Sequence, residues 1–177
     1  MIAAVVLAAG EGRRYGGLKQ LHPVDGRPML EHVLGIVAAD GPEHRVVVLG
    51  ARAGTILERI DLHGAQPVIS DRWDAGQAAS LLTGLAALPD DTDWALVVLG
   101  DGPNLDVRAL ERMTAAAAGG ADRILVADYG AGRSHPVLIP RGRWAEIPAR
   151  GERPVRGMDA EMVDCRGLEP PGDVDYA

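Results

Sequence analysis

Short apolar runs alternate with helix-like segments along this chain, and that alternation decides which folds are open to it. Runs of Val, Leu, Ile and Ala are typical of strands buried on both faces, whereas apolar residues at three- and four-residue spacing are typical of helices. These patterns predict strands over residues 2–8, 45–49, 66–70, 94–99, 123–127, 137–139 and 162–165. They predict helices over residues 28–39, 55–62, 77–88 and 107–118. Strands that alternate with helices are joined by crossovers, so the sequence predicts an α/β fold with a mostly parallel sheet and helices on both faces.

One three-layer, Rossmann-like domain accounts for residues 1–177. This length suits a single domain with a sizeable core, and no internal repeat or linker divides the chain. The stretch 147–157 is rich in Pro, Gly and Arg and is predicted to be a loop. We expect an antiparallel strand from the second half of the chain at the edge of the sheet.

Charge and cysteine content argue against several classes of partner and location. The net charge of −7 disfavours nucleic acids and anionic membranes, because both require a basic face. Cys165 is the only cysteine, so no internal disulfide can form and a reducing compartment is expected. The apolar first nine residues lack a preceding basic segment and are predicted to form a strand rather than a signal peptide. No apolar run approaches the length of a membrane span, and we predict a cytoplasmic protein.

A glycine-rich loop follows the first predicted strand and is the first candidate for a ligand site. Gly10 and Gly12 allow a tight backbone that presents N–H groups to an anion. The loop is not a Walker A motif, because Lys19 is not followed by Ser or Thr. It is also a poor dinucleotide fingerprint, because Tyr15 stands where the third glycine should be. Gly16, Gly17 and Pro23 forbid a helix directly after it, so the loop is expected to stay irregular and to be able to wrap around a triphosphate.

Lys19 is the only lysine in the chain, and the other 17 basic residues are arginines. A composition this biased replaces lysine by arginine wherever the position tolerates the exchange. A position that needs a compact ammonium on a flexible stem does not tolerate it. Chance survival of one surface lysine is the alternative. The place of Lys19 in a glycine-rich loop favours a functional role, such as contact with a phosphate.

The residues around this loop resemble the signature LAAG-x-G-x-R-x-G-x-x-K of nucleotidyltransferases that make nucleoside-diphosphate-linked products. The matching positions are Leu7, Ala8, Ala9, Gly10, Gly12, Arg14, Gly16 and Lys19. This superfamily includes the sugar-nucleotide pyrophosphorylases and the molybdenum-cofactor nucleotidylyltransferases. The resemblance implies the nucleotide-diphospho-sugar transferase-like fold, a loop that encloses the phosphates of an NTP, and catalytic roles for Arg14 and Lys19. The nucleotide-binding residues that it implies in this loop are Leu7, Ala8, Ala9, Gly10 and Gly12.

Asp101 follows a buried strand and so stands at the ligand edge of the predicted sheet. An aspartate at such a junction is often a turn or N-cap residue. Asp106 is the better candidate for the cap of the next helix, which leaves Asp101 without an obvious structural task. The resemblance implies more, since the family carries a G-D-x-P element whose aspartate holds a catalytic Mg²⁺. Asp101 is accordingly expected to be a catalytic metal ligand.

Three further segments resemble the family in part. The W-x-x-G-x-x-x-S-L segment of the molybdenum-cofactor branch matches at Gly76 and Ser80, which implies contacts with base and ribose; a plain helix start is the alternative. His135 lies in an element similar to G-H-P-V-L and is expected on the acceptor side at most, since a lone histidine is more often structural. Near the end of the chain, Asp173 is expected to be the second metal ligand, with Asp175 close behind. A disordered acidic tail is the alternative there.

The compact length and the W-x-x-G and H-P-V elements favour the molybdenum-cofactor branch. Ala9 in the LAAG motif favours the cytidylyl form of that branch over the guanylyl form. The resemblance thus implies Mg²⁺-dependent transfer of CMP from CTP to a phosphorylated acceptor such as molybdopterin, with release of pyrophosphate. The expected partners are an NTP, with CTP favoured, and a phosphorylated small molecule. Two alternatives stay open: a related transferase that acts on a sugar or alditol phosphate, and a nucleotide-binding homologue that has lost transfer or been recruited to redox chemistry on a bulky ring system.

Overall fold

The computed structural model describes residues 1–12, 15–119 and 122–174. Its strands are β1 Ile2–Ala8, β2 Pro23–Val24, β3 Arg27–Pro28, β4 Arg45–Leu49, β5 Gln66–Ile69, β6 Trp94–Leu99, β7 Ile124–Asp128, β8 Arg133–Pro140 and β9 Ala160–Asp164. Its α-helices are α1 Met29–Asp40, α2 Ala53–Leu57, α3 Gln77–Ala86 and α4 Val107–Ala117. Short 3₁₀ turns occur at Lys19–Leu21, Trp73–Ala75 and Arg141–Glu146. No helix in the three described ranges is long and apolar enough to cross a bilayer.

Within the described residues, one seven-stranded sheet has the order β5-β4-β1-β6-β8-β7-β9, and β2 pairs with β3 in a small separate hairpin. The pairs β1–β4, β1–β6, β4–β5 and β7–β9 are parallel, as the alternation of strands and helices predicts. Strand β8 is the exception, because it runs antiparallel to both β6 and β7. The predicted α/β class with a mostly parallel sheet is confirmed.

The expected position of the antiparallel strand is wrong. Strand β8 lies inside the sheet between β6 and β7, and the edge strands are β5 and β9. The physical reason lies in the run Val137, Leu138 and Ile139, whose side chains point to alternate faces and are all 0–2% exposed. A strand that is apolar on both faces is stable only where both faces are covered. The short connection from β7 then makes the pairing antiparallel, because a parallel neighbour needs a long crossover.

Helices cover both faces of the sheet. On one face, Leu34 of α1 and Leu110 of α4 belong to a core that includes Val6 of β1. On the other face, Leu81 of α3 belongs to a second core that includes Val5 of β1. Adjacent residues of β1 therefore bury their side chains in opposite cores, which makes the sheet the middle of three layers.

Gly84 sets the distance between α3 and the sheet. A Cβ at this position would lie 2.5 Å from Cγ1 of Val5 and 2.8 Å from Cγ2 of Val48. We expect Gly84→Ala to lower the free energy of unfolding by about 1–2 kcal/mol, because the cost of overpacking exceeds the gain in helix propensity. Urea denaturation followed by circular dichroism measures the change.

Gly54 in α2 provides the matched control for this substitution. A Cβ at Gly54 has no described neighbouring atom within 4 Å. Gly54→Ala is therefore expected to leave the free energy of unfolding unchanged or slightly raised. Equal losses of stability in the two variants would show that the close contact between α3 and the sheet is not the reason why Gly84→Ala lowers stability.

Candidate functional site

A cavity of about 230 Å³ opens at the carboxyl ends of β1 and β6. The residues predicted to bind the nucleotide all line it, namely Leu7, Ala8, Ala9, Gly10, Gly12, Gly76 and Ser80. Lys19 and Asp101 line it as well. The structure therefore brings together, at one edge of the sheet, the first loop, the start of α3 and the turn that follows β6.

The first loop is folded tightly on itself. Gly12 has a φ of +68°, and a Cβ there would lie 2.6 Å from the carbonyl oxygen of Gly17. The N–H of Gly16 donates to the carbonyl of Gly12 (3.0 Å), and the N–H of Lys19 donates to the carbonyl of Gly17 (3.1 Å). Only glycine suits position 12 at this approach and this φ. The turn brings the backbone of Lys19 beside Gly12.

Lys19 lies between two carboxylates from distant parts of the chain. Its Nζ donates to Oδ2 of Asp101 (2.8 Å) and to Oδ1 of Asp173. The side chain of Lys19 is 13% exposed. Burial by itself lowers the pKa of Lys19, but the hydrogen bonds and charges of the two carboxylates outweigh burial and raise this pKa above its ordinary value. The ammonium is therefore charged at neutral pH.

Asp101 and Asp173 form a carboxylate pair around the ammonium of Lys19. Burial raises the pKa of Asp101, the ammonium of Lys19 opposes that rise, and the negative charge of Asp173 adds to it. Carboxylates this close repel each other, and a cation between them relieves the repulsion. Such a pair fits a divalent ion, because Mg²⁺ typically takes one or two carboxylates and completes its coordination with substrate phosphates and water. A larger cluster, of three or more His, Cys, Asp or Glu side chains placed to hold a metal, does not occur in the part of the chain that the structure describes.

A loop from the last third of the chain forms another wall of the cavity, beside the start of α3. The N–H of Gly151 donates to the carbonyl of Ala75, and the N–H of Ala78 donates to the carbonyl of Gly151, both at 2.9 Å. Gly76 has a φ of +100°, and a Cβ there would lie 2.8 Å from the carbonyl carbon and oxygen of Gly151. These contacts bring Glu152 to the cavity wall. Position 76 therefore requires glycine both for its backbone conformation and for this close approach.

Ser80 and His135 differ in their relation to the cavity. Ser80 is only 3% exposed, and it lines the cavity from within α3. His135, in β8, does not line it; its Nδ1 is buried without a hydrogen-bond partner among the described residues. Burial lowers the pKa of His135 to about 4, so its ring is neutral at pH 7. The structure thus does not bring His135 together with the other predicted residues, and its role on the acceptor side stays a prediction.

Two predicted residues, Arg14 and Asp175, lie outside the described residues. The cavity is also lined by residues to which the sequence reasoning gave no role in the site, namely Gln20, Trp73, Gln77, Leu99, Gly100 and Glu152. Gln20 could have been inferred from the sequence, because it directly follows Lys19. Glu152 stands where the molybdenum-cofactor branch often carries an aspartate after glycine, and hydrogen bonds between distant backbone groups bring it to the cavity.

Comparison with known proteins supports the fold and the nucleotidyltransferase class. The family model described as the MobA-like NTP transferase domain matches residues 4–164. The bifunctional protein GlmU of Desulfotalea psychrophila is 33% identical over 114 residues, which cover 63% of this chain but only 33% of that protein. The chain thus spans about a third of the length of this relative. The nicotine blue oxidoreductase of Paenarthrobacter nicotinovorans is 34% identical over 149 residues, which cover 80% of this chain and 72% of that protein.

Solved structures share the fold along almost the whole chain. The crystal structure of Rv0371c from Mycobacterium tuberculosis has a TM-score of 0.85 and 29% identity, with 99% of this chain and 93% of that chain covered. A structure of Rv0371c in complex with manganese has a TM-score of 0.80 and 26% identity, with 98% and 93% covered. The fold of this chain is therefore one in which a divalent ion has been observed.

Proposed function

The chain belongs to the family of MobA-like NTP transferase domains, and we propose that it transfers CMP from CTP to a phosphorylated small molecule of the molybdopterin class. Membership makes the chain a nucleotidyltransferase domain. The proposal adds to this class the base of the nucleotide, the acceptor, and Mg²⁺ as the divalent ion.

One observation carries the proposal: Lys19, Asp101 and Asp173 converge beside the glycine-rich loop. These groups come from three segments of the chain and meet at the edge of the sheet where open α/β folds bind ligands. A cation, backbone amides and paired carboxylates are what a triphosphate and its divalent ion require. A polyphosphate ligand also explains why a chain with a net charge of −7 places its only lysine in this loop.

Transfer of CMP needs positioning and charge stabilisation from this chain rather than a covalent intermediate. A phosphate oxygen of the acceptor attacks the α-phosphorus of CTP and forms a new O–P bond. The bond from the α-phosphorus to the bridging oxygen breaks, and pyrophosphate leaves with that electron pair. The attacking oxygen is already ionised at neutral pH, so no general base is needed.

The charged residues divide this work. Lys19 and the loop amides bind the β- and γ-phosphates and stabilise the charge that develops on the leaving pyrophosphate. Arg14 is proposed as a second cation with the same task. Asp101 and Asp173 would hold the divalent ion, which when bound supplies charge neutralisation at the α-phosphate.

The remaining predicted residues are assigned to the nucleoside of CTP and to the acceptor. We place the nucleoside of CTP beside Ala9 and the segment from Gly76 to Ser80, because they line one cavity. The acceptor would approach from the side of β8, where His135 is the candidate contact. The buried free thiol of Cys165 suits a reducing compartment, and we place the protein in the cytoplasm.

A redox function is the alternative with a specific observation in its favour, since one relative is named as an oxidoreductase. A homologue recruited to redox chemistry would bind a ring system in the cavity and would not need a carboxylate pair around a cation. The convergence of Asp101 and Asp173 on Lys19 favours transfer instead. A sugar or alditol phosphate is the alternative acceptor, and an acceptor screen with measurement of pyrophosphate release separates it from molybdopterin.

The nucleotide part of the proposal is tested by thermal unfolding with CTP, GTP, ATP and UTP, each with and without Mg²⁺. A ligand at one hundred times its dissociation constant stabilises the native state by about 2.7 kcal/mol. For a chain of this length we expect a rise in Tm of about 5–10 °C with CTP that requires Mg²⁺. A shift with GTP alone would keep the family and overturn the choice of base. The absence of a shift with all four nucleotides would favour the redox alternative.

A further inference from the structure

We infer that Gln20 is the positioning residue of the phosphate-binding loop: its side-chain amide holds the loop backbone in the conformation that receives the triphosphate. The inference rests on the proposed nucleotide site. Gln20 directly follows Lys19 in the 3₁₀ turn Lys19–Leu21, is 6% exposed and lines the cavity. A buried polar side chain requires hydrogen-bond partners, and the identity of the partners indicates its task.

Both donor hydrogens of the Gln20 amide are used at the end of β1. Nε2 donates to the carbonyl of Ala8 and to the carbonyl of Gly10, each at 2.8 Å. These carbonyls stand on either side of Ala9, where the strand gives way to the loop. Because a peptide unit is planar, fixing its carbonyl also fixes the direction of its N–H. Gln20 thereby sets the orientation of the peptide units 8–9 and 10–11, which border the cavity.

The carbonyl oxygen of the same side-chain amide plays no such part. Two carbonyl oxygens can be contacted only by the NH₂ group, so these bonds fix the orientation of the amide. Oε1 of Gln20 is then buried without a hydrogen-bond partner among the described residues. An orphaned buried acceptor destabilises the fold, and an apolar side chain of similar size would avoid that cost. The donors are therefore the part of Gln20 that the site requires.

Gln20 also links the loop to the cation. The turn that carries Lys19 is closed by a hydrogen bond from the N–H of His22 to the carbonyl of Lys19 (3.0 Å). The amide of Gln20 ties this turn to the end of β1. The distance between the backbone of Lys19 and the loop amides is thus fixed, as simultaneous contact of both with a triphosphate requires. Removal of the donors should weaken nucleotide binding more than it weakens the fold.

Gln20→Met tests the inference, since methionine has a similar length, donates no hydrogen bond and removes the orphaned acceptor. We expect the dissociation constant of CTP with Mg²⁺, measured by titration calorimetry, to rise at least about tenfold. Trp144→Phe is the control, because it removes one side-chain N–H bond to a carbonyl, that of Ile139 (3.1 Å). Ile139 pairs with Ala95 at the start of β6, whereas the cavity lies at the carboxyl end of that strand. The control should bind CTP as the wild-type chain does, whatever its Tm.

The outcomes separate this inference from the function on which it rests. Wild-type binding that persists unchanged in Gln20→Met overturns the positioning role alone. A wild-type chain that binds no NTP overturns the proposed function, and the role of Gln20 with it.

A measurement on the wild-type chain decides the matter if Gln20→Met does not fold. In ¹⁵N-labelled protein, the side-chain NH₂ of Gln20 should exchange with solvent at least about tenfold more slowly than that of the exposed Gln66, and its resonances should shift when CTP and Mg²⁺ are added. Equal exchange rates for the two glutamines, or resonances that do not move, would overturn the inference.

Discussion

Replacing Asp101 by asparagine is expected to lower the rate of nucleotidyl transfer by about 10³-fold, the upper end of the range for loss of one preorganised electrostatic group. The substitution keeps the size of the side chain but removes the charge that, with Asp173, surrounds the ammonium of Lys19. An uncharged amide is a poor ligand for a divalent ion that must also hold a triphosphate. Nucleotide binding should therefore lose its dependence on Mg²⁺ together with activity.

Two measurements check this result, namely pyrophosphate release with CTP and an accepted acceptor, and the Mg²⁺-dependent rise in Tm with CTP alone. Asp106→Asn is the matched control, because Asp106 caps α4 by accepting from the N–H of Arg108 (2.9 Å) and does not line the nucleotide cavity. Asparagine is also a good cap, so this variant should bind and turn over CTP normally. Retention of Mg²⁺-dependent binding in Asp101→Asn would remove Asp101 from the metal site.

The central strands were predictable because each is a continuous apolar run. The sequence places β1, β4 and β6 at the bounds that the structure has, since a strand buried on both faces requires apolar residues at every position. The helix predicted over 55–62 ends at Leu57, although Ile60 continues the apolar spacing and packs against the core from irregular backbone. Apolar spacing reports burial here and not backbone conformation.

Pairing between distant segments was not predictable from local pattern. The place of β8 between β6 and β7 depends on which strands meet, and no local pattern records that choice. Glu152 reaches the cavity because Gly151 exchanges backbone hydrogen bonds with Ala75 and Ala78, which lie far from it in sequence. Backbone bonds of this kind depend little on side-chain identity, so they leave no motif.

The cavity itself was predictable from the position of glycines and carboxylates at strand ends. The loop after β1 and the turn after β6 lie at the same edge because the two strands are parallel neighbours, with Leu7 paired to Leu99. Asp173 is different, since the resemblance alone suggested it and the chain must return across the sheet to bring it to Lys19. The catalytic and metal-binding roles of these residues remain predictions, which substitutions at Asp101 and Lys19 test most directly.

Lys19→Arg is expected to lower nucleotidyl transfer by about 10²-fold although it keeps the positive charge. The ammonium of Lys19 reaches Asp101 at 2.8 Å and contacts Asp173 from a side chain that is 13% exposed. A planar guanidinium is larger, and its donors diverge in one plane instead of surrounding a single nitrogen. It would separate the two carboxylates or remain outside the loop, and in either position it stabilises the departing pyrophosphate less well.

The reverse exchange on the surface is the matched control for Lys19→Arg. Arg108 pairs with Asp106 from a side chain that is 63% exposed, and Arg108→Lys should leave transfer unchanged. Pyrophosphate release at saturating CTP compares both variants with the wild-type chain, and urea denaturation shows whether Lys19→Arg remains folded. Wild-type turnover by a folded Lys19→Arg variant would mean that a positive charge suffices at this position. A loss confined to Lys19→Arg would instead explain, by the shape of an ammonium between two carboxylates, why a chain with 17 arginines keeps one lysine.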